Sequence, residues 1–232
     1  MIPLVVIRPQ PGCDATVRAA RALGLEAFAH PLFEVGPLAW EAPDPDQFDA
    51  LLIGSANVLR HGGAALARYR GMPAYAVGET TAAASRDAGL DLAGQGEGGL
   101  QVLLGSLKPG HRRLLRLTAR ERVELTLPPG VLITEAVTYA SEPRPIPQEL
   151  AELLAGGAVV LLHSGEAARH FAAECDRLEI ARSSIAVAAL APRIAAASGH
   201  GWAALEAAAE PRDQALLALA RQMCQSSDAL NR

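Results

Sequence analysis

The chain has 232 residues, enough for one large domain or two small ones that each bury a core. Half of the residues are hydrophobic and only 4% are aromatic, so alanine, leucine and valine must fill the interior, as in ordinary α/β proteins. A net charge of −4 exerts no overall pull toward nucleic acid or a membrane surface, so any anionic ligand has to be held by local groups.

The opening stretch "MIPLVVIRPQ" holds a short apolar run broken by Arg8, too brief for a signal peptide or a membrane span. It predicts a first strand in a cytoplasmic protein, and a helix follows from about Asp14 to Leu23. "EAFAHPLFEV" and "ALLIGS" read as further strands, the latter leading into a helix. Then comes "AVGETTAAASRDAG": the end of a strand, Gly78, two threonines and an alanine-rich helix. The first N–H groups of a helix are unpaired and carry the positive end of its dipole, so a strand-Gly-helix turn has the architecture of an anion site. Neither G-x-G-x-x-G nor G-x-x-x-x-G-K-[ST] is present, which argues against a dinucleotide or a nucleoside triphosphate. Thr80 and Thr81 fit two roles, as helix caps or as ligand-facing hydroxyls. "LDLAG" is the next strand, and beyond "QVLLGSL" the pattern resumes with "RRLLRLT", a poorly patterned segment and "ITEAVTYA". "AVVLLHS", "IAVAAL" and "WAALEAAA" follow, each trailed by a helical stretch, and the polar end "CQSSDALNR" reads as a frayed tail.

Strands alternating with helices throughout are the rhythm of parallel sheets with crossover helices, so the fold class is α/β. The second half echoes the first: "LLIGSANVLRHGGAAL" lies over "VLLHSGEAARHFAAEC", "AYAVGETTAAASRDAG" over "VAALAPRIAAASGHG", and "GEGGLQVLLGSL" over "EPRDQALLALAR". Three units in the same order point to a duplication. Proline-rich connections, "HPLFEVGPLAWEAPDPDQ" and "SEPRPIPQEL", fit a chain that crosses between lobes twice. Residues 39–143 then form an inserted domain, and residues 1–36 with 146–232 a discontinuous one. A single split near Gly110 fits the repeat as well. In either arrangement the turns after Ser55, Gly78, Ser164 and Ala191 lie at the carboxyl ends of parallel strands, the edge where open α/β sheets bind ligands. Two such edges facing each other make a cleft rich in helix N-termini and hydroxyls.

Other chemistry is poorly served. Lys108 is the single lysine, so cationic contacts fall to arginine, whose fork suits carboxylates. Cys13, Cys175 and Cys224 form no C-x-x-C pair and no framework, which predicts a reducing compartment without structural disulfides. The six histidines include no H-E-x-x-H, so no metal site is expected. G-x-S-x-G is absent around Ser164, which weakens a hydrolase reading.

The ordered set "VIRP", "IGSAN", "AVGETTAAAS...AG", "VTYASEP", "LLHSGEAA", "ALAPRIAAAS...GW" and "EPRDQALLALA" spans nearly the whole chain and is similar to the uroporphyrinogen-III synthase family. The resemblance implies two flavodoxin-like parallel-sheet domains joined by a two-stranded linker, with a cleft between them, acting as a monomer without cofactor or metal. It implies hydroxymethylbilane, a linear tetrapyrrole bearing acetate and propionate side chains, as substrate. The implied product is cyclic uroporphyrinogen III with its last ring inverted. Loss of the terminal hydroxyl as water gives an azafulvene, which the far pyrrole attacks at its substituted carbon to form a spiro intermediate. The substrate also cyclises unaided to the uninverted isomer, so the enzyme chiefly has to favour the spiro route.

By the same resemblance Tyr139 matches the family's cleft tyrosine, a hydrogen-bond donor to the departing hydroxyl. Ser55 and Thr81 match cleft-lining polar positions, and Ser164 with Gly165 their counterpart on the other lobe. Arg8, Asn57, Gly78 and Thr80, in the same motifs, complete the expected substrate-binding set. Where the family often has a second Thr-Thr after Gly-Pro, this chain has Ala191, Pro192, Arg193 and Ile194. Arg193 either takes a substrate carboxylate or points to solvent. The family's Gly-rich segment after the fourth strand of the middle domain is replaced by "LTARERVEL", so contacts made there in relatives do not transfer. Readings from other classes are a two-lobed small-molecule binding or sensor module without catalysis, and a glycosyltransferase, for which the chain is short.

Overall fold

The computed structural model describes residues 2–230, with side chains through Gln225. In chain order the elements are β1 (Leu4–Val6), α1 (Gly12–Ala22), β2 (Ala27–Ala29), β3 (Phe33–Pro37), β4 (Ala50–Ile53), α2 (Asn57–His61), β5 (Pro73–Val77), α3 (Glu79–Asp87), β6 (Asp91–Gly96) and α4 (Leu100–Leu103). Then follow β7 (Arg113–Ala119), β8 (Leu132–Pro143), α5 (Gln148–Ala155), β9 (Ala158–Leu162), α6 (Gly165–Arg177), β10 (Ile185–Ala189), α7 (Pro192–Ala197), β11 (Ala204–Ala207) and α8 (Asp213–Leu230). The tail read as frayed is helical in its backbone as far as Leu230, and Asn231 and Arg232 lie outside the described residues.

The elements form two compact units, Met1–Glu34 with Glu142–Arg232, and Val35–Ser141. The first is built on a five-stranded sheet in the order β11-β10-β9-β1-β2, with every neighbouring pair parallel. Its central strands are apolar without a break because helices cover both faces. Val5, Val160 and Val187 join Leu150 and Leu154 of α5 and Phe171 of α6 in one core. On the opposite face Leu4, Val6, Val159 and Leu161 meet Val17 of α1 and Leu216 of α8.

The second unit has the sheet β3-β8-β7-β4-β5-β6. Its face alternates in the same way: Leu51 and Ile53 enter one core, Ala50 and Leu52 the other. "EAFAHPLFEV", which reads as one strand, is divided at Pro31 into β2 and β3, in different sheets. Proline has no N–H to continue a ladder. The chain passes between the units twice, within β3 and within β8, and these two strands are neighbours. Leu38 N–H donates to the Thr138 carbonyl (3.0 Å) and Arg144 N–H to the Leu32 carbonyl (2.8 Å), so the pair runs antiparallel.

Laid out in space, the five parallel strands of the two sheets correspond: β2-β1-β9-β10-β11 against β8-β7-β4-β5-β6. The sequence echo has the same register, since it sets β4 over β9 and β5 over β10. One arrangement has therefore been threaded with two connectivities, related by a circular permutation. One crossover is irregular. The parallel strands β7 and β8 are joined by residues 120–131, which contain no helix, where such a connection is usually helical.

Candidate functional site

In the six-stranded sheet the chain leaves β4 toward β5 and β6, then returns to β7 on the other side of β4. The turns after β4 and β7 thus diverge, the position where doubly wound sheets open a ligand crevice. A cavity of about 260 Å³ lies there, with Ser55, Arg116, Thr118, Arg122 and Tyr139 among its lining.

Tyr139 reaches this cavity through a fault in the ladder. Thr118 pairs with Val137 but Ala119 with Tyr139, so Thr138 is one extra residue on β8. A bulge of this kind re-aims the side chain that follows it. Tyr139 is 8% exposed and its ring lies 6.2 Å from that of His61, centroid to centroid, while its hydroxyl has no hydrogen-bond partner among the described residues. On the facing turn Ser55 Oγ accepts the Asn57 N–H at 3.2 Å, and Asn57 Oδ1 accepts from Arg60 at 2.9 Å. Gly54 is confined: a Cβ there would stand 3.1 Å from Leu100 Cδ1.

Gly78, Thr80, Thr81 and Asn57 lie outside the cavity lining. Gly78 itself is the N-cap of α3, at φ +76, a conformation that favours glycine. Neither threonine caps: Thr80 is exposed, and Thr81 is buried with its carbonyl accepting from Ser85 Oγ at 2.8 Å. The capping role open to them in the sequence is thus taken by the backbone of Gly78.

The cavity also holds a charged group that sequence reasoning missed. Arg116, in the middle of β7, is buried, with Nη1 donating to Glu135 Oε1 (2.8 Å) and Nη2 to the Val123 carbonyl (3.0 Å). The other carboxylate oxygen of Glu135 accepts from Arg122 Nε at 2.6 Å. The signal was present in "RRLLRLT": an arginine inside an otherwise apolar strand needs a partner.

The five-stranded unit has its own switch point, between β1 and β9. Arg8 follows β1, and His163, Ser164 and Gly165 follow β9. Arg8 Nη1 donates to Asp213 Oδ2 at 2.7 Å and to Thr16 Oγ1 at 3.3 Å, and its guanidinium lies over Gly12, where a Cβ would come within 2.6 Å of Nε. Ser164 caps α6, its Oγ accepting the Ala167 N–H at 3.1 Å. It occupies the place that Ser55 holds in the other sheet, and His163 that of Gly54. The His163 side chain is 8% exposed, 3.6 Å from Asp213 Oδ1, and neither ring nitrogen has a hydrogen-bond partner among the described residues. Burial pushes its pKa down to about 4, with the Arg8 charge adding to the shift and Asp213 opposing it. Arg193 is exposed at the start of α7 and makes no ion pair among the described residues.

Cys13, Cys175 and Cys224 are buried, and none of them forms a disulfide. Burial raises the Cys13 thiol to about 11 and the Cys175 thiol to about 12, so both are poor nucleophiles at neutral pH. Among the described residues no group of three or more His, Cys, Asp or Glu side chains could hold a metal ion, and no helix is long and apolar enough to cross a membrane.

Fold and site together define a doubly wound α/β protein with polar corners at both switch points. The family described as uroporphyrinogen-III synthase HemD matches residues 14–218, and the chain belongs to that family. It is a lyase of tetrapyrrole biosynthesis that cyclises hydroxymethylbilane to uroporphyrinogen III. Among solved structures it is similar to the uroporphyrinogen-III synthetase of Helicobacter pylori, with a TM-score of 0.64 at 18% identity over 96% of this chain and 100% of that one. It is also similar to a mutant uroporphyrinogen III synthase of the extremely thermophilic bacterium Thermus thermophilus, with a TM-score of 0.56 at 16% identity over 97% and 100% of the two chains. Both share its fold. Among curated proteins there is no match.

Proposed function

We propose that the cavity at the β4/β7 switch point receives the hydroxymethyl end of hydroxymethylbilane, and that Tyr139 acts on the departing hydroxyl. The observation carrying this reading is the bulge at Thr138, which sets on the cavity wall a phenol whose O–H has no other partner among the described residues. As the pyrrole nitrogen releases electron density into the ring, the C–O bond breaks and water departs. The Tyr139 O–H stabilises the oxygen as it gains charge. A phenol is a weak acid, so it serves by donating a hydrogen bond while the leaving oxygen takes its proton from solvent. The azafulvene is then attacked by the substituted carbon of the far pyrrole. The resulting spiro intermediate fragments, recloses with that ring inverted, and loses a ring proton. The remaining requirement is to hold the chain folded for this attack, which is a matter of positioning.

Positioning falls to groups that bind carboxylates. Ser55, Asn57 and the α3 N-terminus at Gly78, Thr80 and Thr81 serve in one unit. Arg8, Arg193 and the α6 N-terminus at Ser164 and Gly165 serve in the other. The enzyme acts as a cytoplasmic monomer in this reading, a compartment suited to three buried cysteines that form no disulfide. Tyr139→Phe tests the central assignment. Its kcat should fall at least about tenfold, the scale of a lost transition-state hydrogen bond, with KM within about twofold. An unchanged kcat would remove Tyr139 from the mechanism.

A further inference from the structure

The Arg116, Glu135 and Arg122 group has a division of labour that its geometry makes readable. Arg116 projects on the same face of the sheet as Leu114, and its side chain is 4% exposed. A guanidinium buried this deeply is tolerated only while paired. Its pairing is fixed twice, by Glu135 in register across β7 and β8 and by the Val123 carbonyl. Arg122 is held differently. It sits in the helix-free segment 120–131, 35% exposed, with Nε on Glu135 and Nη1 on the Arg120 carbonyl, and its Nη2 has no partner among the described residues. The segment is pinned further along, where Gln101 donates to the Thr126 carbonyl (2.9 Å) and accepts the Thr126 N–H (2.8 Å). One carboxylate therefore serves two guanidiniums, and both line the cavity. Glu121 lines it too, but is exposed to solvent, which screens its charge.

We infer that Arg122 receives a carboxylate of the substrate, with Arg116 and Glu135 as the positioning pair that holds it ready. The incoming carboxylate takes the open Nη2 edge of Arg122 and displaces Glu135 from Nε, giving a bidentate contact. Glu135 keeps Arg116, so no buried charge is left alone during the exchange. That accounts for the presence of two arginines where one would balance the acid. The assignment rests on the cavity being the place where hydroxymethylbilane is turned over.

The test is steady-state formation of the type III isomer by wild type, Arg122→Gln and Arg122→Lys, with thermal melting of each. All three should melt within about 2 °C of one another, since the contact broken is at the surface. Arg122→Gln should raise KM about tenfold, the equivalent of about 1.4 kcal/mol of binding, with kcat within about twofold. Arg122→Lys should recover part of the loss, because a point charge still attracts a carboxylate but cannot make the bidentate contact. A KM for Arg122→Gln within twofold of wild type would overturn the assignment. So would an equal loss in both variants, or a loss confined to kcat. A wild type that makes only the type I isomer would instead overturn the turnover reading on which the assignment rests.

Discussion

Burying His163 beside Arg8 strips hydration from its imidazole, and the folded state therefore holds it neutral down to pH about 4. The unfolded chain binds that proton from its ordinary value of about 6.5, so it carries more protons between those limits. Stability contributed by the neutral ring is full above pH about 6.5 and is lost as the pH falls toward 4. Glu174 adds a second, lower window. Arg177 and the Ile146 N–H hold its carboxyl down to about 2, so its contribution is full above the ordinary carboxylate range and fades as the pH falls to about 2. Urea midpoints at pH 7 and pH 5 separate the two, and His163→Asn should shrink the fall between these pH values. An identical fall in that variant would place the acid sensitivity elsewhere. The caps give a matching contrast. Ser164→Ala removes a used cap and should cost about 1 kcal/mol, a drop of about 2–4 °C in melting temperature, whereas Thr80→Ala, which removes none, should leave it unchanged. Ser164 was readable as a cap because the serine precedes the helix directly. The threonines were ambiguous because the N-cap, Gly78, lies two residues before Thr80 and three before Thr81, which places both hydroxyls inside the helix.

At the scale of elements, strands buried on both faces announce themselves as unbroken apolar runs, and β1, β9 and β10 were legible for that reason. Their order in the sheet was not legible, since a circular permutation leaves each local strand-helix unit unchanged. Tyr139 could be singled out by its motif, but the bulge that turns it into the cavity depends on the pairing of β8 with β7. Arg116 and Glu135 are 19 positions apart and meet only through that same register. The β5–α3 turn makes a sharper demand. Gly78 sits at φ +76 and ψ 157, so Gly78→Ala forces an alanine into a region that is essentially glycine-only, at a cost of about 1–3 kcal/mol. Its melting temperature should fall by a few degrees with the fold retained, and a variant as stable as wild type would show that the turn relaxes freely.

For the molecule as a whole, the same five-strand layout occurs twice, each time with a serine at the end of the strand where the chain reverses direction. The two corners have diverged in charge. One holds Arg8, Asp213 and His163, the other Tyr139 with the Arg116, Glu135 and Arg122 group. The chain closes hydroxymethylbilane with its last ring inverted. The most direct measurement generates hydroxymethylbilane in place, adds the purified protein, oxidises the products and resolves type III from type I uroporphyrin by chromatography. Type III should predominate over the type I formed without enzyme, and type I alone from folded protein would show that the chain does not invert the ring.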